Sequence, residues 1–285
     1  YGLINEGKTA VIEMASCAGL PLVEDRKDPR KTTTYGVGQL ILAAAESGVE
    51  KIIVGLGGSS TNDGGCGAAA AVGVKFYDRD GKEFVPTGGT TADICKIDLS
   101  GKAEILNKVE IVTMCDIDNP MYGPTGASHI FGPQQGADEA MVLELDEGIK
   151  NLSRAITEAI GKDISEVPGT GAAGAMGAGM IAFFGSRLQM GIQTVLDTVN
   201  FDEMIKDADY IITGEGKLDS QSLRGKVVIG IAERAKKQDK NVIAVVGGAD
   251  DAEIDKAYEM GVTAVFPINR LPQDFSISRH HSKEN

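Results

Sequence analysis

Ile52-Ile53-Val54-Gly55-Leu56-Gly57-Gly58-Ser59-Ser60-Thr61-Asn62-Asp63-Gly64-Gly65-Cys66-Gly67-Ala68-Ala69-Ala70-Ala71 decides the fold. The apolar run at its start reads as a buried strand and the small residues at its end as a tightly packed helix. Between them lies a turn of glycines and polar residues. Glycines there let backbone N–H groups approach a ligand closely, and the positive end of the following helix suits an anion. Gly57, Gly58, Ser59, Thr61 and Asn62 are therefore candidate cofactor-binding residues. Asp63 is a candidate catalytic acceptor or metal ligand. The competing reading is a loop whose small residues serve close packing.

Working outward, Thr9 to Met14 reads as a strand, and Thr32, Thr33 and Thr34 offer N-cap hydroxyls. Val37, Leu40, Ile41, Ala44 and Ala45 recur at helical spacing up to Gly48. Val74–Tyr77 and Glu83–Val85 form a hairpin around Asp78-Arg79-Asp80-Gly81, and Val109 to Met114 is another buried strand. Gly123 to Gly136 reads as a loop, and Asp138 to Ile160 as a long amphipathic helix. Near 190–200 the pattern changes to regular alternation. Asn200 with Glu203 has capping-box spacing. Strands at 210–212, 242–246 and 262–266 alternate with helices at 226–237 and 251–260, which predicts a parallel β-α-β-α-β unit.

Lys and Arg number 28 against 41 Asp and Glu, a net charge of −13. So acidic a chain argues against a nucleic-acid or anionic-membrane partner. No apolar run approaches the ~18 residues of a membrane span. Cys17, Cys66, Cys95 and Cys115 have no metal-like or redox-like spacing, which fits reduced thiols in a cytoplasmic protein. His129, His280 and His281 form no zinc pattern.

Three further clusters combine glycine with acid or amide. Asp116 and Asp118 follow a strand and stand one residue apart, so an extended chain points both to one side, where a cation fits; a solvated turn at Asn119-Pro120 is the alternative. Gly169-Thr170-Gly171-Ala172-Ala173-Gly174 has the form G-x-G-x-x-G, but no strand precedes it, which disfavours a dinucleotide site. Gly169, Gly171 and Gly174 are then candidates for a phosphate cradle. Thr213-Gly214-Glu215-Gly216-Lys217-Leu218-Asp219-Ser220-Gln221 follows a strand. Glu215 and Asp219 suit Mg²⁺ or a proton from a hydroxyl, and Lys217 or Lys226 suits phosphate charge: the complement that phosphoryl transfer needs. No Walker A sequence is present.

In this order the clusters resemble the type I glycerate kinases, together with Phe131-Gly132-Pro133-Gln134 and with Glu13-Met14-Ala15 and Gly19-Leu20. The resemblance covers nearly the whole chain. It implies ATP-dependent phosphorylation of D-glycerate to phosphoglycerate, typically 2-phosphoglycerate in bacterial members, with Mg²⁺. It implies two α/β domains: an inserted domain with a mixed sheet over 1–195, and over 196–285 the C-terminal half of a Rossmann-like domain built from both chain ends. Catalytic roles then fall to Asp219, Glu215, Asp63 and Lys217. Nucleotide binding falls to the glycine loops with Lys226, and metal binding to Asp116, Asp118 and Asp219. An Asp-Ser-Phe-Lys segment and a final helix usual in the family are absent from this sequence, so low activity is expected of it alone. Gln135 stands where a Lys is common, and Ala175 where a Gly is common. A homo-oligomer is compatible with this reading. A dinucleotide-dependent oxidoreductase and a non-catalytic sugar-acid sensor are the alternatives.

Overall fold

A computed structural model describes residues 1–220 and 222–268. Gln221, His280 and His281 lie outside the described residues. The chain divides into two compact units, one ending at Gln189 and the next beginning at Met190.

The first unit is built on a five-stranded sheet. Its strands are β1 (Gly2–Ile4), β2 (Thr9–Glu13), β3 (Lys51–Gly55), β7 (Glu110–Met114) and β8 (Arg187–Gln189), adjacent in that order. β1 pairs antiparallel with β2, and all other pairs are parallel, so the sheet is mixed. Ile52, Ile53 and Val54 are buried, as expected of a parallel strand covered on both faces. A small antiparallel sheet joins β4 (Lys75–Tyr77) to β5 (Glu83–Phe84) and β6 (Lys96–Asp98). Its turn is closed by Asp78 Oδ1, which accepts from the Asp80 and Lys82 amides.

The helices of this unit are α1 (Ala15–Ala18), α2 (Tyr35–Glu46), α3 (Cys66–Ala71), α4 (Ala127–Phe131), α5 (Glu139–Ile160) and α6 (Ala172–Phe184). α2 packs so closely on α3 that a Cβ at Gly38 would lie 2.2 Å from the Ala68 carbonyl oxygen. α5 starts at an Asp138 cap that accepts from the Met141 amide, and ends on Gly161 at φ 72°. It buries Leu145, Ile149, Leu152 and Ile156.

The second unit holds a three-stranded parallel sheet, ordered β11 (Ala264–Pro267), β10 (Asn241–Val246), β9 (Tyr210–Glu215). Its helices are α7 (Gly191–Thr198), α8 (Phe201–Met204), α9 (Val227–Lys236) and α10 (Asp251–Glu259). The β-α-β-α-β order and parallel register expected from the alternation are present.

Several expectations are corrected. Residues 123–136 are no open loop, because α4 and a 3₁₀ turn over Pro133–Gln135 lie within them. β6 and β8, three residues each, are too short to show a period. Asn200 makes no side-chain cap and sits at φ 54°, while Glu203 pairs with Lys206 at 2.6 Å. The capping box is therefore not formed. Arg234 holds this region instead, reaching Asp202 and Asp197 at 2.6 and 2.7 Å. The Thr34 hydroxyl does not cap α2 but is used elsewhere, as follows.

Candidate active site

A pocket of about 310 Å³ opens at the carboxyl ends of β3 and β7. Parallel neighbours leave a crevice at that edge, where α/β proteins place ligands. Gly57, Gly58 and Ser59 form one side and Cys115, Asp116 and Ile117 another. Gln135 and Ala173 complete it, so segments far apart in sequence converge there.

The long polar loop divides into two parts with different duties. Gly57 and Gly58 are exposed at the pocket, whereas Ser59, Ser60, Thr61, Asn62 and Asp63 are buried. Asp63 is fully buried and accepts four hydrogen bonds. Thr34 donates its amide (2.7 Å) and its hydroxyl (2.9 Å) to Oδ2, and Gly67 N–H joins them at 3.2 Å. Gly65 N–H donates to Oδ1 at 3.1 Å. The Thr34 hydroxyl in turn accepts from the Ala68 amide. The anion at the head of α3 is thus Asp63 itself. Burial pushes its pKa up, against the pull of its four donors. The oxygens of Asp63, the candidate catalytic or metal-binding residue, are occupied by this internal cap and held out of solvent. Ser59 and Thr61 hydroxyls pair at 3.0 Å, and Asn62 Oδ1 accepts from Ser128. Thr61 and Asn62 likewise face inward. Asn62 Nδ2 has no protein partner.

The G-x-G-x-x-G segment is also spent on packing. Gly169, Gly171 and Gly174 are buried. A Cβ on Gly171 would lie 2.1 Å from the Pro120 oxygen, and one on Gly174 would lie 2.0 Å from the Thr61 oxygen. Gly171 N–H donates to Asn119 O, and Gly64 N–H to Gly174 O. These glycines lock the 57–65 and 169–174 loops to each other and to the Asn119-Pro120 turn. Ala173, Gly174 and Ala175 are consecutive left-handed residues, with φ of 54°, 64° and 63°. Such backbone costs an L-residue about 1–2 kcal/mol each and persists only where surroundings over-determine it. Gly174→Ala is expected to cost about 3 kcal/mol, combining overpacking with left-handed strain. The urea midpoint reads it, and a loss under about 1 kcal/mol would mean that the segments part freely.

Asp116 and Asp118 are exposed at the strand end. Among the described residues no group of three or more His, Cys, Asp or Glu side chains could hold a metal. Sequence reasoning noted Gln135 only as standing where a Lys is common and gave it no role. Its side chain is 1% exposed, and its Nε2 donates to the Ser59 and Thr61 carbonyls at 3.3 and 3.0 Å. Its Oε1 is buried without a partner.

In the second unit, Glu215 is the last residue of β9 and is half-buried. Its Oε1 is buried and has no protein partner. The next segment is strapped to the end of β10: Leu218 N–H donates to Gly248 O, and Asp250 N–H to Leu218 O. Lys217 Nζ lies 2.9 Å from Asp250, which raises its pKa. Asp219 Oδ1 accepts from the Ser222 amide, and Ser222 Oγ donates to Lys217 O. Lys226 stands at the N-cap of α9. Asp250 and Ser222 were missed, although Gly247-Gly248 at the end of a strand could have pointed to Asp250.

The glycerate kinase family model matches residues 1–285. The chain is 46% identical to glycerate 2-kinase of Escherichia coli K12, over 94% of this chain and 70% of that one. It is 46% identical to glycerate kinase of Bacillus cereus, over 100% of this chain and 75% of the relative. A crystal structure of a Salmonella typhimurium LT2 protein assigned as glycerate kinase 2 matches at a TM-score of 0.82 and 40% identity, covering 95% of this chain and 72% of that one. No helix among the described residues is long and apolar enough to cross a membrane.

Proposed function

The chain belongs to the glycerate kinase family, and on that premise we propose that it transfers the γ-phosphoryl group of ATP to the C2 hydroxyl of D-glycerate. The C2 assignment draws on the name of the Escherichia coli relative, a glycerate 2-kinase. The observation that carries the reading is the buried, unpartnered Oε1 of Glu215 at a strand end. A carboxylate oxygen held out of water with no donor suits the proton of a substrate hydroxyl. As the glycerate oxygen bonds to phosphorus, the bond to the ADP oxygen breaks and the hydroxyl proton passes to Glu215.

The other residues take supporting roles. Gly57 and Gly58 keep their backbone at the pocket, where amides can meet phosphate. Lys226 and Lys217 supply positive charge, with Lys217 held in position by Asp250. Asp116 and Asp118 are hard oxygen donors of the first unit, and Asp219 is one of the second. Mg²⁺ takes one or two carboxylates together with nucleotide phosphates. When bound, the ion would offset charge on the transferred group.

The second unit is read as the C-terminal half of a Rossmann-like domain, and the first as the inserted domain. Support comes from an uncovered face of the three-stranded sheet, where Ile212 is 74% and Phe266 54% exposed. Parallel sheets are ordinarily covered on both faces. The setting is a cytoplasmic enzyme acting on two small molecules.

The test is ADP release by a full-length protein carrying this chain, with D-glycerate, L-glycerate or no acceptor, before and after chelation. Release with D-glycerate alone, abolished by EDTA and restored by Mg²⁺, is expected. Full release in EDTA would remove the metal, and equal release without acceptor would remove the kinase.

A further inference from the structure

The pocket at the ends of β3 and β7 has walls that sort between the two substrates. Leu56, Met114, Ile117 and Phe131 give it apolar sides. Among the described residues no Lys, Arg or His lines it, and their one carboxylate there is Asp116. The carboxylate of glycerate would lose hydration there beside a like charge, with no cation in return. An uncharged, flat ring loses little by entering such walls, and the pocket size is that of ordinary small-molecule sites.

Gln135 adds a direction. Its amide orientation is set by the Ser59 and Thr61 carbonyls, which both take its Nε2. What remains is an acceptor, and that Oε1 is buried without a donor. A buried acceptor left unmatched costs about 1–3 kcal/mol, which a ligand donor would recover. Resting on the ATP reading above, we propose that this pocket takes the adenine ring of the nucleotide. The exocyclic amine of adenine is the donor to Gln135 Oε1, and the phosphates run out over Gly57 and Gly58. Guanine carries an oxygen where adenine carries that amine, so acceptor would face acceptor. Gln135 is thereby a base-specificity residue, and glycerate binds elsewhere.

Calorimetry with the nucleosides tests this without any phosphate or turnover. Adenosine is expected to bind at least about tenfold tighter than guanosine, the discrimination available to one matched against one mismatched polar contact. Gln135→Lys keeps donors for the Ser59 and Thr61 carbonyls but removes the acceptor. It should weaken adenosine about tenfold, raise the KM for ATP and leave the KM for D-glycerate in place. Ile117→Trp fills the pocket and should abolish adenosine binding at unchanged melting temperature. Equal binding of the two nucleosides, no binding of adenosine, or adenosine affinity intact in Ile117→Trp would overturn the proposal. Discriminating adenosine binding without any glycerate-dependent ADP release would leave it standing and remove the kinase reading instead.

Discussion

Asp63→Ala is expected to cost about 4 kcal/mol of stability, the scale of leaving several buried donors without an acceptor. Four donors from three segments converge on this carboxylate: Thr34 ahead of α2, Gly65 at the turn, and Gly67 in α3. With the carboxylate gone, those N–H groups stay buried with nothing to meet, and the head of α3 loses its only anion. Asp63→Asn tests the charge separately. Its amide nitrogen must face at least one N–H, so it should retain only part of the lost stability. Net stabilities are about 5–15 kcal/mol, so the Ala variant should unfold at a much lower urea concentration. A change under about 1 kcal/mol would mean that the loop is held without this cap. It would also return Asp63 to the list of candidate catalytic groups.

The cap that Asp63 makes was hidden from the sequence for a definite reason. Sequence shows that a carboxylate precedes a helix, but its first partner, Thr34, lies 29 residues away. What occupies the oxygens is a tertiary fact. The same holds at Ala173 and Ala175, whose positive φ contradicts local preference. Only the close approach of Gly174 to Thr61 shows why the chain bends there. Elements with a strong period were legible: β3 from its apolar run, α5 from its stripe, and the parallel order of β9, β10 and β11. α4 and the turn carrying Gln135 were not, being five and three residues long with no room for a period. The glycine-rich clusters did mark the site, but their glycines divide between exposed ones at the pocket and buried ones that hold the segments together. Composition cannot separate those two uses.

Glu215→Gln is expected to lower turnover by about 10²–10³ while leaving the melting temperature within a degree or two, the scale of losing one transition-state electrostatic contact. The substitution is nearly isosteric, and Glu215 Oε1 has no protein donor to lose. Folding therefore has little at stake in its charge, whereas a proton from the substrate hydroxyl has nowhere else to go in this reading. The comparison variant is Asp219→Asn. Asp219 Oδ1 accepts from the Ser222 amide, a bond that an Asn oxygen can keep, so a pure turn-former would tolerate the change. If Asp219 holds metal, its variant should raise the Mg²⁺ requirement, and excess Mg²⁺ should restore part of the rate. Glu215→Gln should not respond to Mg²⁺ at all, because the missing function is acceptance of a proton. Near-parental turnover of Glu215→Gln would show that its orphaned oxygen serves no step of the reaction. Rescue of Glu215→Gln by Mg²⁺ would move it from proton acceptor to metal ligand.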